Sequence, residues 1–324
     1  MAAIEYACCS NAKIFPEIEH AHRPGKSVPV VDPQVFYKHT KRSLEGCHAK
    51  LKESGALARR SAKSEQFKKR HYEEKLKERS IDYANQETLV NLKSKRDNGT
   101  TIIDAENFCI LTPENIIGPY YVGGEYIRDD IVDGQEGVEL LLDVQIINSK
   151  TCEPIANNYL DVWHCNATGV YSGVEAEDTI GLNYLRGVYP TDEEGIVQFK
   201  TIFPGWYEGR STHIHIFSHV NATVQTNNNT LNIGGTDHIG QIYFEDSLVD
   251  EISELYPYTK DTNPRTTNEE DMFFPQQNSS GYDAIIEIEY LGTNISDGLI
   301  GYMSIAVDLT ANHDDAILVA NYLD

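Results

Sequence analysis

The chain has 324 residues, 40% of them hydrophobic, and a formal net charge of -23. That length suits one large domain or two small ones with a sizeable core, and no apolar run is long enough to cross a bilayer. So acidic a body repels polyanions, which argues against nucleic acid as a partner. The charge is uneven: residues 1–100 carry 20 Lys+Arg against 13 Asp+Glu, and the remainder 7 against 37. The basic stretch reads as the solvated face of helices.

Residues 1–32 lack periodicity and contain Pro16, Pro24 and Pro29, so a disordered or extended tail is expected there. "MAAIEYACCSNAKIFPEIEH" carries Glu5 where a signal peptide wants a basic n-region or an unbroken apolar h-region, so any leader is atypical. Residues 33–100 form a helical arm by composition, rich in Lys, Glu, Leu and Ala, with Gly46 and Gly55 weakening its first piece. The apolar stripe of this arm is thin, so it is expected to lie against the main domain.

Residues 101–324 turn to β. "VELLLDVQIIN" places Leu140, Leu142, Val144 and Ile146 on one face, as period two requires. "YLDVWHC" is its returning strand after the "NSKT" turn. "GIVQFKTIF", "YDAIIEIEYLG" and "LIGYMSIAVDL" are further strands. With hardly any helix between them, the expected fold is mainly β: an antiparallel β-sandwich with an N-terminal helical arm. "EDSLVDEISELYPYTKDTNPRTTNEED" (Glu245–Asp271) is acidic and turn-rich, lacks the spaced calcium-loop pattern, and reads as a solvated surface loop.

None of the six cysteines forms a CxxC pair, and six Asn-x-Ser/Thr sequons occur, at Asn98, Asn166, Asn221, Asn228, Asn278 and Asn294. Together these favour an oxidising, extracellular setting and a glycoprotein.

The chemistry concentrates in "FPGWYEGRSTHIHIFSHV". On a strand, His213 and His215 share a face and can converge on one ion. By this pattern alone an exposed histidine-bearing strand remains open, and His164 and His219 remain further candidates. Tyr207 lies just before the pair, and Tyr171 stands in "GVYSGV". Phenol has a pKa near 10, so it binds well only to a cation acidic enough to ionise it. Ferric iron is such an ion, whereas zinc more usually recruits cysteine or carboxylate.

"LLDVQIINSKTCEPIANNYLDVWHCNATGVYSG", followed by "LRGVYPTDEEGIVQFKTIFPGWYEGRSTHIHIF", resembles the intradiol ring-cleavage dioxygenases, and most of all their extracellular branch known from fungi. The resemblance runs from "TPENIIGPYYV" to "HIGQIYFED". It implies a non-haem Fe(III) held by Tyr171, Tyr207, His213 and His215, with Tyr171 staying bound and Tyr207 leaving as substrate arrives. It further implies that Arg210 and Gln241 stabilise developing charge, and that Tyr120 and Tyr121 line the substrate pocket. His164 falls outside that ligand set and reads as structural.

The expected substrates are a small catecholic molecule and O2, and the products cis,cis-muconate-type diacids. Disulfides Cys47–Cys109 and Cys152–Cys165 are implied by the same resemblance. The dimer-forming helical domain of intracellular relatives finds no match, which leaves the oligomeric state open. The competing readings are a metal-free binding module of the same fold and a zinc-dependent hydrolase built on the H-x-H pair.

Overall fold

The structure is a computed structural model that describes residues 47–78, 118, 120–232, 235–278, 283–314 and 319–322. The expected tail, Cys109 and the arm outside 47–78 lie beyond the described residues.

Two four-stranded sheets face each other. The first has the order β10 (Glu287–Tyr290), β11 (Leu299–Val307), β2 (Glu139–Asn148), β5 (Ile196–Ile202). The second runs β4 (Arg186–Pro190), β3 (Tyr159–Trp163), β6 (His213–His219), β9 (Thr236–Tyr243). Two short pairs flank them: β1 (Val122–Gly123) with β12 (Asn321–Tyr322), and β7 (Val224–Gln225) with β8 (Thr230–Leu231).

Leu140, Leu142, Val144 and Ile146 do share one face, and they meet Leu160, Val162, Ile214, Ile216 and Ile242 of the second sheet in the core. The sandwich is antiparallel throughout its two main sheets except that β11 runs parallel to β2, from Leu299 opposite Leu140 to Val307 opposite Asn148. No hairpin constrains these two strands. The chain between them far exceeds the crossover of about a dozen residues that a parallel pair needs.

The opposite face of β2 is buried as well. Leu141, Asp143, Gln145 and Ile147 all lie out of solvent, under a helical stretch over 47–53 and the helix α1 (Ala56–Glu78). Ala56, Leu57, Arg60, Ser64 and His71 are the buried positions among the described residues of α1, and from Leu57 on they fall three to four residues apart except for one skipped turn, as a helix lying along a sheet requires.

The thin stripe of apolar residues is completed by charge. Arg59 pairs with Glu194 (2.7 Å), Arg60 with Asp143 (3.5 Å), Lys68 with Glu289 (3.4 Å) and His71 with Glu139 (3.1 Å). Lys63 and Lys75 add contacts to Asp192 and Glu139. The basic arm and acidic body thus meet as complementary surfaces, where the sequence pointed to a solvated face. Exposed pairs of this kind add little. Arg60 differs, because its guanidinium is buried and also donates to Ser304 Oγ and the Met303 carbonyl.

The cysteine pairing differs from expectation. Cys47 bonds Cys152, with Cα atoms 4.9 Å apart, and Cys165 is a buried thiol. The geometry explains why. Cys152 sits in the turn that closes β2, beside the start of the helical arm, whereas Cys165 follows the far end of the five-residue β3. That strand spans roughly 16 Å at about 3.3 Å per residue, beyond the reach of a disulfide.

Candidate metal centre

The outer face of the second sheet carries the site. Along β6, Ile214 and Ile216 enter the core, so period two turns His213, His215 and Phe217 outward. Register then selects their neighbours. His215 lies between Trp163 on β3 and Gln241 on β9, and His213 lies opposite Tyr243. Trp163 stacks on His215 with centroids 4.8 Å apart and 6° between the planes.

Two turns bring in the tyrosines. Tyr207 and Arg210 face each other across a tight turn, closed by the Arg210 N–H on the Tyr207 carbonyl, with Gly209 at φ 80°. In the second turn, the Asn166 side-chain oxygen accepts from the Thr168 and Val170 backbone N–H groups, shaping the segment that ends at Tyr171. Gly169 is required there: at φ +81° a Cβ would lie 2.2 Å from the Trp206 carbonyl oxygen. The two turns therefore pack directly on each other.

The result is a cluster. Tyr207 Oη lies 3.3 Å from His213 Nε2, which lies 3.1 Å from His215 Nε2. The Tyr171 ring centroid is 5.6 Å from that of Tyr207 and 6.2 Å from that of His215. His213 Nδ1 donates to the Ser211 carbonyl at 2.7 Å, which leaves the Nε2 lone pair directed at the cluster. Burial, reinforced by the Arg210 cation, holds His213 well below the usual imidazole range. Burial, His213 and Arg210 do the same to His215. Both rings are therefore neutral, the form that binds metals. Burial raises both phenols: Tyr171 well above its usual range, and Tyr207 to about 12 against the pull of Arg210.

These residues fit a hard, highly charged cation. Two nitrogens bound to one ion at about 2.1 Å with an angle near 90° lie about 3 Å apart, close to the observed spacing. Tyr171 Oη is buried, and the Tyr207 hydroxyl is the polar group that interacts with it among the described residues, so a buried phenol oxygen with spare hydrogen-bonding capacity faces the cluster. Among the described residues no three His, Cys, Asp or Glu side chains cluster to hold a metal. An ion held by the described residues of this site would depend on phenol oxygens beside the two imidazoles.

Arg210 is fixed from several sides. Its Nε donates to Asp271 at 2.8 Å, Nη1 to Tyr207 Oη at 3.5 Å, and Nη2 to Gln241 and to Tyr243 Oη at 3.2 Å. The Phe273 ring covers its face at 4.6 Å. Sequence reasoning missed Asp271, Tyr243 and Trp163. Asp271 closes the segment read as a solvated loop, yet it is 1% exposed. Trp163 and Tyr243 were within reach of strand periodicity, given the register.

The remaining candidates separate cleanly. His164 Nδ1 donates to the Cys165 carbonyl and Nε2 accepts from Thr201, away from the cluster. His219 contacts Thr236 and faces Asp161. Tyr120 is half-buried against Tyr171 (4.8 Å) and Tyr207 (6.3 Å). Tyr121 does not join it at the site. It is buried against Trp163 and Phe217, and its hydroxyl donates to Asp161. Beneath Tyr171, Arg186 lies over the phenol ring at 5.8 Å and pairs with the buried Glu125 at 3.6 Å.

A family model described as "Dioxygenase" matches residues 116–260, a span that holds Tyr171, Tyr207, Arg210, His213, His215 and Gln241 and ends before Asp271. The chain is similar to the solved intradiol ring-cleavage dioxygenase of Tetranychus urticae: 32% identity, 64% of this chain, 98% of that one, TM-score 0.54. It is 30% identical over 156 residues to a catechol 1,2-dioxygenase of Acinetobacter baylyi, covering 39% of this chain and 50% of that protein. Against catechol 1,2-dioxygenase 1 of Acinetobacter lwoffii the identity is 25% over 128 residues, covering 33% of this chain and 41% of that protein. The chain thus spans half or less of the length of these two curated relatives.

Proposed function

This chain belongs to the intradiol ring-cleavage dioxygenase family, and we propose that it is a non-haem Fe(III) enzyme that opens the ring of catecholic compounds with O2 between the two hydroxylated carbons. The products are cis,cis-muconate-type diacids. The observation that carries the reading is the convergence of Tyr171, Tyr207, His213 and His215, with the Tyr207 hydroxyl in contact with both His213 Nε2 and the buried Tyr171 phenol. When bound, the ferric ion supplies Lewis acidity that ionises phenols and draws electron density from a chelated ring.

The protein's part follows from its own groups. Tyr171 is fully buried and Tyr207 only half-buried. This asymmetry supports Tyr171 as the lasting ligand and Tyr207 as the one that swings out and accepts a catechol proton. Arg210 is a fixed, buried cation aimed at Tyr207 Oη and braced by Gln241. It stabilises negative charge as that charge develops on the ring and on incoming oxygen. Tyr120 forms an aromatic wall beside both tyrosines, suited to a flat phenolic ring.

Catalysis is assigned to the β domain (101–324), and the described part of the helical arm (33–100), residues 47–78, straps the first sheet. A secretory setting belongs to the same reading and is supported by the Cys47–Cys152 disulfide. Glycans belong on sequons other than Asn166, whose amide is tied to Gln135, Thr168 and Val170.

The test is oxygen uptake with product mass over a panel of catechols. The expected product has gained both atoms of O2 and lost its aromatic absorption. Oxidation to a quinone with no oxygen incorporated, or turnover without O2, contradicts the reading.

A further inference from the structure

Asp271 reaches the site from beyond residues 116–260, the span that the family model matches. Its carboxylate is buried, and every contact it makes is to a donor. Oδ2 accepts from Arg210 Nε (2.8 Å), the Ser211 N–H (2.8 Å) and Ser211 Oγ (3.3 Å). Oδ1 accepts from the N–H groups of Phe273 (2.7 Å) and Phe274 (3.0 Å). Only an acceptor-only group satisfies both sides at once, and an ionised carboxylate is that group. The same turn lays the Phe273 ring on the face of the guanidinium, a cation–π contact that blocks rotation out of the plane. With Nε consumed by Asp271, the fork of Arg210 can present only Nη1 and Nη2 to Tyr207, Gln241 and Tyr243.

We propose that Asp271 is the positioning residue that locks Arg210 for the ring-opening step, a role that rests on the function proposed above. Asp271 touches neither substrate nor metal. It acts through Arg210, and the preorganised cation is what lowers the barrier. Displacing a catalytic group by about 1 Å from its productive position costs on the order of 100-fold in rate.

The experiment compares wild type with Asp271→Ala and Asp271→Asn, using the full chain. Phenylglyoxal labelling of Arg210, read by peptide mass spectrometry, reports directly whether the guanidinium is held. Steady-state kinetics on the iron-loaded proteins reports the consequence. In Asp271→Asn an amide must face either Arg210 Nε or the Phe273 and Phe274 N–H groups, so this variant also loosens the fork while keeping the side-chain volume. It gives the answer if Asp271→Ala does not fold.

The expected result is Arg210 labelled at least several-fold faster in the variants, with kcat down by up to about 100-fold and KM nearly unchanged. Equal labelling overturns the proposal, as does faster labelling with kcat intact or a loss carried by KM. A wild type that cleaves no catechol removes the proposed function, while labelling still decides whether Asp271 holds Arg210.

Discussion

Trp163 lies flat on His215, 4.8 Å between ring centroids and 6° between planes, because β3 and β6 place the two directly opposite each other. The indole fixes the imidazole plane and closes off its outer side. Trp163→Ala leaves a large buried cavity and is expected to cost roughly 3–5 kcal/mol of stability. Trp163→Phe should cost less and still weaken metal retention, since it loosens a group that orients a ligand. Urea unfolding and metal content after dialysis check both, and a fully stable Trp163→Ala with unchanged metal would contradict this role.

The strap on the first sheet makes a graded prediction. Arg60 is buried against Asp143, and removing one partner of a buried pair leaves the other uncompensated. Arg60→Ala should cost about 3–5 kcal/mol. Arg59→Ala, at an exposed pair with Glu194, should leave the unfolding midpoint nearly unchanged. Equal effects from the two would mean that the helix is not docked as described.

Removing the Cys47–Cys152 bond frees a loop with a sequence separation of 105. Cys152→Ser should lower stability by about 4–5 kcal/mol in the chain-entropy picture. Non-reducing peptide mapping should recover the Cys47 and Cys152 peptides joined, and Cys165 should alkylate only after unfolding.

The pH dependence has a defined sign. Burial, with help from the negative charge of Asp161, raises the Glu125 carboxyl to about 8 despite Arg186. The folded state then holds a proton that the unfolded chain releases near its ordinary carboxylate pKa. This contribution to stability is full below about 4.5 and is lost as the pH rises towards 8. Glu125→Gln should flatten that slope, checked by urea unfolding at pH 5, 6.5 and 8. A variant with the wild-type slope would show that Glu125 is not the group responsible.

Much of this was legible in the sequence because it depends on near neighbours. Period two put Leu140 to Ile146 in the core and His213 with His215 on one face, and the family motifs named the tyrosines. What stayed hidden depends on chain tracing over long separations. Asp271 meets Arg210 across 61 residues, Cys47 meets Cys152 across 105, and β11 chooses β2 from the other end of the domain. The charge asymmetry was visible too. Whether a basic helix faces water or an acidic sheet is decided only when the two are brought together.

The absorption spectrum of the iron-loaded protein, compared with Tyr171→Phe and Tyr207→Phe, tests the centre most directly. A visible tyrosinate-to-iron charge-transfer band is expected in the wild type, altered in each variant and shifted again by a catechol. A colourless iron-loaded protein, or a band indifferent to both substitutions, would contradict a centre built on these two phenols.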